Sequence, residues 1–244
     1  MNHRFLVIKL VLLFNGFILF FNVGCATKQL TLRDAYKDKF VIGTAVKDYQ
    51  WMQKNPLENA VVKTQFSSIS PENLMKWEEI HPEPDLYDFD AADQYVDFGV
   101  KNKMFIIGHT LLWHSQTPRW VFQNDEGKTV DRATLLKRLQ DHIQTVVGRY
   151  KGRVKGWDVV NEVLWEDGSL RSSQWKKILG DDYIIKAFEF AHAADPNAEL
   201  YYNDYGIEEG KKLKGALALV KKLKDANVPI TGVGIQEHVD LTWP

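Results

Sequence analysis

The run WDVVNE, Trp157–Glu162, decides how this chain is read. Val159 and Val160 give it the character of a buried strand. It opens after Gly156 and closes on an Asn-Glu pair, where the pattern turns polar. A carboxylic acid at the end of an apolar strand is costly to bury without a partner or a purpose. In a barrel of parallel strands, the carboxyl ends are also where active sites form. Glu162 is therefore a candidate general acid/base, and the rest of the chain has to support it.

Outward from this run, strand-like and helix-like stretches alternate. Phe40–Val46 (FVIGTAV), Gln65–Ser70 (QFSSIS, breaking at Pro71) and Met104–His114 (MFIIGHTLLWH) read as the first three strands. The fourth lies near Val154–Val160, with Ala198–Tyr205 (AELYYNDY) and Ile230–Val239 (ITGVGIQEHV) as the fifth and sixth. Thr31 and Asp34 make a capping pair for a lead-in helix. Further helices are expected over about Pro56–Lys63, from a cap at Asp90 with Ala92, Tyr95, Val96 and Gly99 on one face, and over Tyr183–Ala194. Asp131 caps the clearest one, in which Leu135, Leu136, Leu139, Ile143, Val146, Val147 and Tyr150 recur at helical spacing. Leu213, Leu217, Val220 and Leu223 mark the apolar face of a last helix, its lysines solvated.

Buried strands alternating with amphipathic helices imply a parallel sheet covered by helices. About six such units without a phosphate-binding glycine loop favour a (β/α)8 TIM barrel over a dinucleotide fold. Eight units are needed, and eight residues follow Gln236. The chain is thus expected to be the N-terminal part of a barrel, cut after its sixth strand.

Composition narrows the function. The formal charge of −1 on 244 residues carries no basic excess, so no nucleic-acid partner is expected. Aromatic residues make up 12%, with eight Trp, which suits stacking on the flat faces of sugar rings as well as core packing. Arg4 and Lys9 precede an apolar run, Leu10–Phe21, too short for a good membrane span. Residues 1–24 read as a secretory signal peptide, leaving 25–244 as the folded domain. The single cysteine, Cys25, follows Gly24 in the manner of a bacterial lipoprotein signal, although Asn22 stands where an aliphatic residue is preferred. A lipid on Cys25 would be the only membrane contact. Plain secretion and an uncleaved anchor are the other readings, and a lone cysteine excludes an internal disulfide.

Polar residues gather at the carboxyl ends of the expected strands. SPENLMKW (Ser70–Trp77) supplies Glu72, Asn73, Lys76 and Trp77, and GHTLLWHSQTPRW (Gly108–Trp120) supplies His109, Trp113, His114 and Gln116. Asn161 and Glu162 close the fourth strand, Asn203 and Asp204 the fifth, and Gln236, Glu237 and His238 the sixth. Amides, indoles, imidazoles and carboxylates converging on one barrel mouth suit a ligand rich in hydroxyls.

These motifs, with GVGIQEHVDLTWP at the end, resemble glycoside hydrolase family 10, the endo-β-1,4-xylanases built on a (β/α)8 barrel. The resemblance covers about Phe40–Pro244. It implies a retaining hydrolase of xylan that needs no metal or organic cofactor; together with the N-terminal signal pattern, the expectation is a monomeric protein secreted to the cell envelope. It makes Glu162 the acid/base and gives Asn161 the 2-hydroxyl of the reacting sugar. Glu72, Asn73 and Lys76 would grip the next sugar outward, with Gln116 among the binding residues. His109, Trp113 and Gln236 would surround the reacting ring, and His238 would hydrogen-bond the nucleophile. Retaining glycosidases set two carboxyl groups about 5–5.5 Å apart, and the acid keeps its proton until needed when burial and a negative neighbour favour the neutral form.

The chain departs from the family in one respect. The nucleophile belongs on a seventh strand as a glutamate, and that strand is missing, so the fragment alone is expected to be inactive. Glu237 is rejected as a substitute, because family members mostly carry a small residue there and His238 matches the nucleophile's partner. Plainer readings exist for several residues: Asn161-Glu162 as a helix cap, Glu72 and Lys76 as an i,i+4 surface pair, and His109 with His114 as metal ligands, against which their five-residue spacing argues. Trp51, Trp165 and Trp175 read as packing residues, and Asp85, Asp88 and Asp90 as turn and cap residues. The alternatives to a xylanase are another retaining (β/α)8 enzyme such as a β-glucanase, or a non-catalytic surface glycan-binding lipoprotein.

Overall fold

The computed structural model describes residues 30–47, 50, 52 and 55–242; the expected signal peptide, Cys25 and Trp51 lie outside them. Six strands, β1 (Gly43–Val46), β2 (Ser68–Pro71), β3 (Phe105–Leu112), β4 (Gly156–Asn161), β5 (Glu199–Asp204) and β6 (Gly232–Ile235), form one sheet in the order β1-β2-β3-β4-β5-β6. Every neighbouring pair is parallel. Parallel crossovers are right-handed, so a strictly sequential order carries all helical connections to one side of the sheet. A doubly wound sheet instead reverses its order at a switch point. This sheet is therefore barrel wall, six units of a (β/α)8 barrel, as the alternation implies.

The helices are α1 (Leu32–Tyr36), α2 (Pro56–Gln65), α3 (Trp77–Ile80), α4 (Asp90–Lys101), α5 (Arg119–Phe122), α6 (Arg132–Arg149), α7 (Gln174–Leu179), α8 (Tyr183–Ala194) and α9 (Gly210–Asp225). Thr31 Oγ1 accepts from the Asp34 amide at 3.2 Å and Asp131 Oδ1 from the Thr134 amide at 2.8 Å, so both expected caps form. Asp90 differs: it is the first helical residue of α4, and the Asp88 carboxylate takes its N–H at 3.1 Å. The short helices α3, α5 and α7 hold too few turns to show a period in the sequence. Pro71 ends β2 rather than breaking it, since the ladder resumes with the Glu72 amide bonded to Val46 O at 3.1 Å. On α9 the buried stripe is Lys212, Ala216, Leu219 and Leu223, whereas Leu217 is 62% exposed. The expected face is thus turned by one residue, because Lys212 is drawn inward by Asp204 at 3.0 Å.

WDVVNE sits at the centre of the wall. Trp157, Val159 and Val160 are buried, and the Trp157 indole lies flat over Gly108, where an added Cβ would come within 2.1 Å of the ring.

Beneath the segment after β2 lies a buried histidine pair. His81 Nε2 is 3.2 Å from Pro84 O, so it carries a proton there, and His81 Nδ1 accepts from His142 Nδ1 at 3.2 Å. His142 stacks on Trp77 with ring centroids 3.6 Å apart, and its Nε2 has no hydrogen-bond partner among the described residues. Burial, and then the neighbouring His81, hold the His142 pKa well below the usual imidazole value. Burial also lowers that of His81, against the Pro84 carbonyl and the charges of Asp141 and Asp85. The unfolded chain takes up protons at these sites near pH 6.5 and the folded chain does not, so stability falls as pH drops below about 6.5. His142 alone is expected to remove up to about 1.4 kcal/mol per pH unit there. Urea unfolding at pH 7.5 and 5.5 checks this: His142→Phe should flatten the slope, and an unchanged slope would assign the loss elsewhere.

Candidate active site

All six strands contribute to one cleft of about 520 Å³ at their carboxyl ends. Ala45 comes from β1, Ser70 and Pro71 from β2, His109 from β3, Asp158 and Asn161 from β4 and Asn203 from β5, while Glu72, Lys76, Trp113, Glu162, Gln236 and His238 follow their strands. The chain leaves β4 at Glu162 with φ +56°, a left-handed conformation that costs a residue with a side chain on the order of 1–3 kcal/mol. It is held there from both sides: the Glu162 amide donates to Asn203 O at 2.8 Å, and its carbonyl accepts from Arg171 Nε at 3.0 Å. Gln116 and Glu237, also at strand ends, share this conformation at φ +44° and +46°.

The carboxylate of Glu162 is fixed as tightly as its backbone. Oε2 accepts from the Trp113 indole at 2.9 Å, and Oε1 from Gln236 Nε2 at 3.3 Å. Trp113 is in turn tied down by Trp175, whose indole donates to its carbonyl at 2.8 Å. Asn161 is 2% exposed, and its Oδ1 accepts from Asn203 Nδ2 at 2.9 Å and Gln236 Nε2 at 3.1 Å. That fixes the amide orientation and leaves the Asn161 NH2 group as a donor. His238 Nε2 donates to Gln236 Oε1 at 2.9 Å, so its other ring nitrogen stays available. His109 Nδ1 is 2.8 Å from Asp158 Oδ2.

On the β2 side, Lys76 is 8% exposed, and its ammonium donates to Asn73 Oδ1 at 2.8 Å and Gln116 Oε1 at 2.7 Å. It stands 4.8 Å from the centre of the Trp113 ring. Burial lowers its pKa, opposed by the charges of Glu72, Glu162 and Glu79. Glu72 and Lys76 are not a surface pair: Glu72 pairs with Lys47 at 3.5 Å instead.

The structure thus brings together Glu162, Asn161, His109, Trp113, Gln236, His238, Glu72 and Lys76, with Asn73 and Gln116 held against Lys76. Asp204 is not among them. It is fully buried on the opposite face of β5 and paired with Lys212. Glu237 does not line the cleft, and its backbone amide binds Glu208 at 3.1 Å. Trp175 is a packing residue, as read; Trp165 is exposed, with the Arg171 guanidinium 4.0 Å from its ring centre. Two supports escape a sequence reading. Asp158 alternates into the cleft beside Trp157, which period two along the strand foretells. Arg171 carries no such signal, since it acts through backbone carbonyls nine and seven residues before it.

The match that decides the family spans nearly all of this architecture: residues 31–244 fit the model of glycosyl hydrolase family 10. The chain belongs to this family. It is 45% identical over 251 residues to a β-1,4-xylanase of Dictyoglomus thermophilum, covering 100% of this chain and 67% of the relative. It is 45% identical over 229 residues to endo-1,4-β-xylanase A of Xylanibacter ruminicola, covering 94% of this chain and 62% of the relative. A crystal structure of a Paenibacillus barcinonensis xylanase bound to a conduramine derivative superposes with a TM-score of 0.85 at 41% identity, over 90% of this chain and 66% of the other. A Thermoanaerobacterium saccharolyticum xylanase, solved as a mutant complex with xylotetraose, gives 0.84 at 43% identity, over 87% and 68%. The chain therefore spans roughly two thirds of the length of such family 10 relatives, and that share contains the cleft around Glu162.

Proposed function

We propose that this protein is an endo-1,4-β-xylanase acting by retaining double displacement, with Glu162 as its acid/base. The observation that carries this reading is the setting of one carboxyl group. Glu162 is gripped by the Trp113 indole and the Gln236 amide, beside an Asn161 amide whose only free function is to donate. In the first step Glu162 gives its proton to the departing glycosidic oxygen while a second carboxylate bonds to the anomeric carbon. In the second it takes a proton from water, which attacks that carbon and releases the carboxylate. Asn161 donates to the 2-hydroxyl, a bond that strengthens as the ring becomes cationic. Glu72, Asn73, Lys76 and Gln116 bind the next sugar outward, His109 lines the reacting sugar, and His238 orients the nucleophile. The chemistry needs two carboxylic acids and a water, without metal or organic cofactor.

The xylo-oligosaccharide held by the Thermoanaerobacterium relative supports xylan as the substrate. Residues 1–24 are proposed to direct a monomeric protein to the cell envelope, with Cys25 as a lipid attachment point. Isothermal titration calorimetry tests the sugar reading. Xylohexaose should bind at least about ten-fold more tightly than cellohexaose, and Lys76→Met should cost roughly ten-fold, the loss of a charged hydrogen bond. Equal affinity for the two sugars would favour a β-glucanase.

A further inference from the structure

Three successive carbonyls beyond β4 end on one residue. Arg171 donates from Nε to Glu162 O at 3.0 Å, from its backbone N–H to Val163 O at 2.8 Å and from a terminal nitrogen to Leu164 O at 3.1 Å. A tight return of the chain makes this possible. The Trp165 amide donates to Ser169 O at 2.8 Å, the Gly168 amide to Trp165 O at 2.9 Å, and Leu170 pairs with Leu164. Gly168 turns at φ +84°, where an added Cβ would come within 2.5 Å of Lys211 O. The N–H groups of the same segment go to β5 instead: Glu162 donates to Asn203 O at 2.8 Å and Leu164 to Asp204 Oδ2 at 3.3 Å.

Val163 and Leu164 are buried, so a carbonyl left unpaired in this segment would be costly. Val163 O keeps its backbone bond whatever side chain stands at position 171. The carbonyls of Glu162 and Leu164 need a side chain with two donors at a fixed angle, which a guanidinium supplies and an ammonium on a flexible stem does not. Arg171 is only 7% exposed. Its guanidinium also donates to the Tyr205 hydroxyl at 3.1 Å and lies 4.0 Å from the centre of the Trp165 ring. A cation buried against neutral acceptors costs stability. What it secures here is the peptide that carries Glu162, at a φ of +56° that a released chain would leave. We propose that Arg171 is a positioning residue for the acid/base: by binding the carbonyls of residues 162–164 it holds the left-handed turn at Glu162 and so keeps that carboxyl group aligned with Trp113 and Gln236. The inference rests on the acid/base reading above and names what fixes that group in place.

The test reads the indole N–H of Trp113 in the 244-residue chain by proton–nitrogen NMR. This group donates to Glu162 Oε2 at 2.9 Å, so its shift reports where the carboxyl group stands. Glu162→Ala supplies the unbonded reference, and Trp113→Phe assigns the signal. Arg171→Met should move the signal roughly half of the way or more toward that reference, since a hydrogen bond weakens steeply once misaligned. Arg171→Lys, which keeps the charge but reaches only one of the two carbonyls at a good angle, should move it less. The Trp175 indole, bonded to Trp113 O at 2.8 Å, should stay in place in both variants. A Trp113 signal unmoved in folded Arg171→Met overturns the inference. So does a Trp175 signal that moves with it, which would mean that Arg171 acts through the packing of α7. Should Arg171→Met not fold, Arg171→Lys decides by the same two signals. Xylotriose should perturb the Trp113 signal of the unaltered chain. No perturbation would count against the sugar reading and leave the positioning of Glu162 standing.

Discussion

With Glu162 as the proposed acid/base, Glu162→Ala should lower the rate on xylan by about 10²–10⁴-fold, the usual worth of a positioned general acid. An aryl xyloside with a good leaving group needs no proton to depart, so formation of the glycosyl-enzyme should fall far less with that substrate. Azide attacks the anomeric carbon without a general base. It should therefore restore turnover of the aryl xyloside and give a glycosyl azide of retained configuration. Equal losses on both substrates, with no azide rescue, would remove Glu162 from the acid/base role. The same chemistry sets an expectation for residues 1–244 alone. Of the other acids lining the cleft, Asp158 is bonded to His109 and Glu72 to Lys47. Neither is free to attack a sugar, so these residues should bind xylo-oligosaccharides and turn over none. Turnover that survives Asp158→Asn and Glu72→Gln would point to Glu237 as the nucleophile.

Where the sequence is legible and where it is not follows from what each signal measures. Strand and helix periods report which side of an element is apolar, and they located all six strands and the long helices. The motif residues of the cleft are legible because they follow strands whose ends must converge. Asp204, expected at the mouth, lies behind the sheet, and its position along the strand says so. Leu200, Tyr202 and Asp204 share one face of β5 and are all buried, while Asn203, on the other face, reaches the cleft and bonds Asn161. Period two alone separates them. The α9 face is harder. The stripe through Leu213, Leu217 and Val220 and the stripe through Lys212, Ala216 and Leu219 have the same spacing, and hydrophobicity favours the first. Only a buried partner for Lys212 selects the second, and that partner is Asp204 behind the sheet. Both departures have one physical cause, because a buried ion pair looks like two exposed charges in a sequence.

That pair is the place where a single substitution should cost the fold most. Asp204 and Lys212 side chains are 0% and 4% exposed, 3.0 Å apart. The Asp204 carboxylate also accepts from the Tyr202 hydroxyl at 2.7 Å and the backbone amides of Tyr205 and Leu164 at 2.9 and 3.3 Å. Lys212 has no hydrogen bond of good angle among the described residues, and its ammonium rests 3.3 Å from the centre of the Tyr205 ring. The two partners are therefore unequal. Asp204→Asn turns a donor toward the Tyr202 hydroxyl and leaves a buried ammonium uncompensated, which should cost about 3–5 kcal/mol in urea unfolding. Lys212→Met leaves an anion still held by three donors and fits an aliphatic chain to the same space, so it should cost clearly less. The double variant Asp204→Asn, Lys212→Met should recover most of the loss, since the cost lies in the stranded charge. Comparable small losses in both single variants would mean that water reaches the pair. The damage should also appear at the active site. The Leu164 amide lies two residues beyond Glu162, and Asn203, beside Asp204, holds both the Glu162 amide and the Asn161 side chain. Asp204→Asn protein that remains folded should thus bind xylo-oligosaccharides more weakly, although residue 204 lies behind the sheet and outside the cleft.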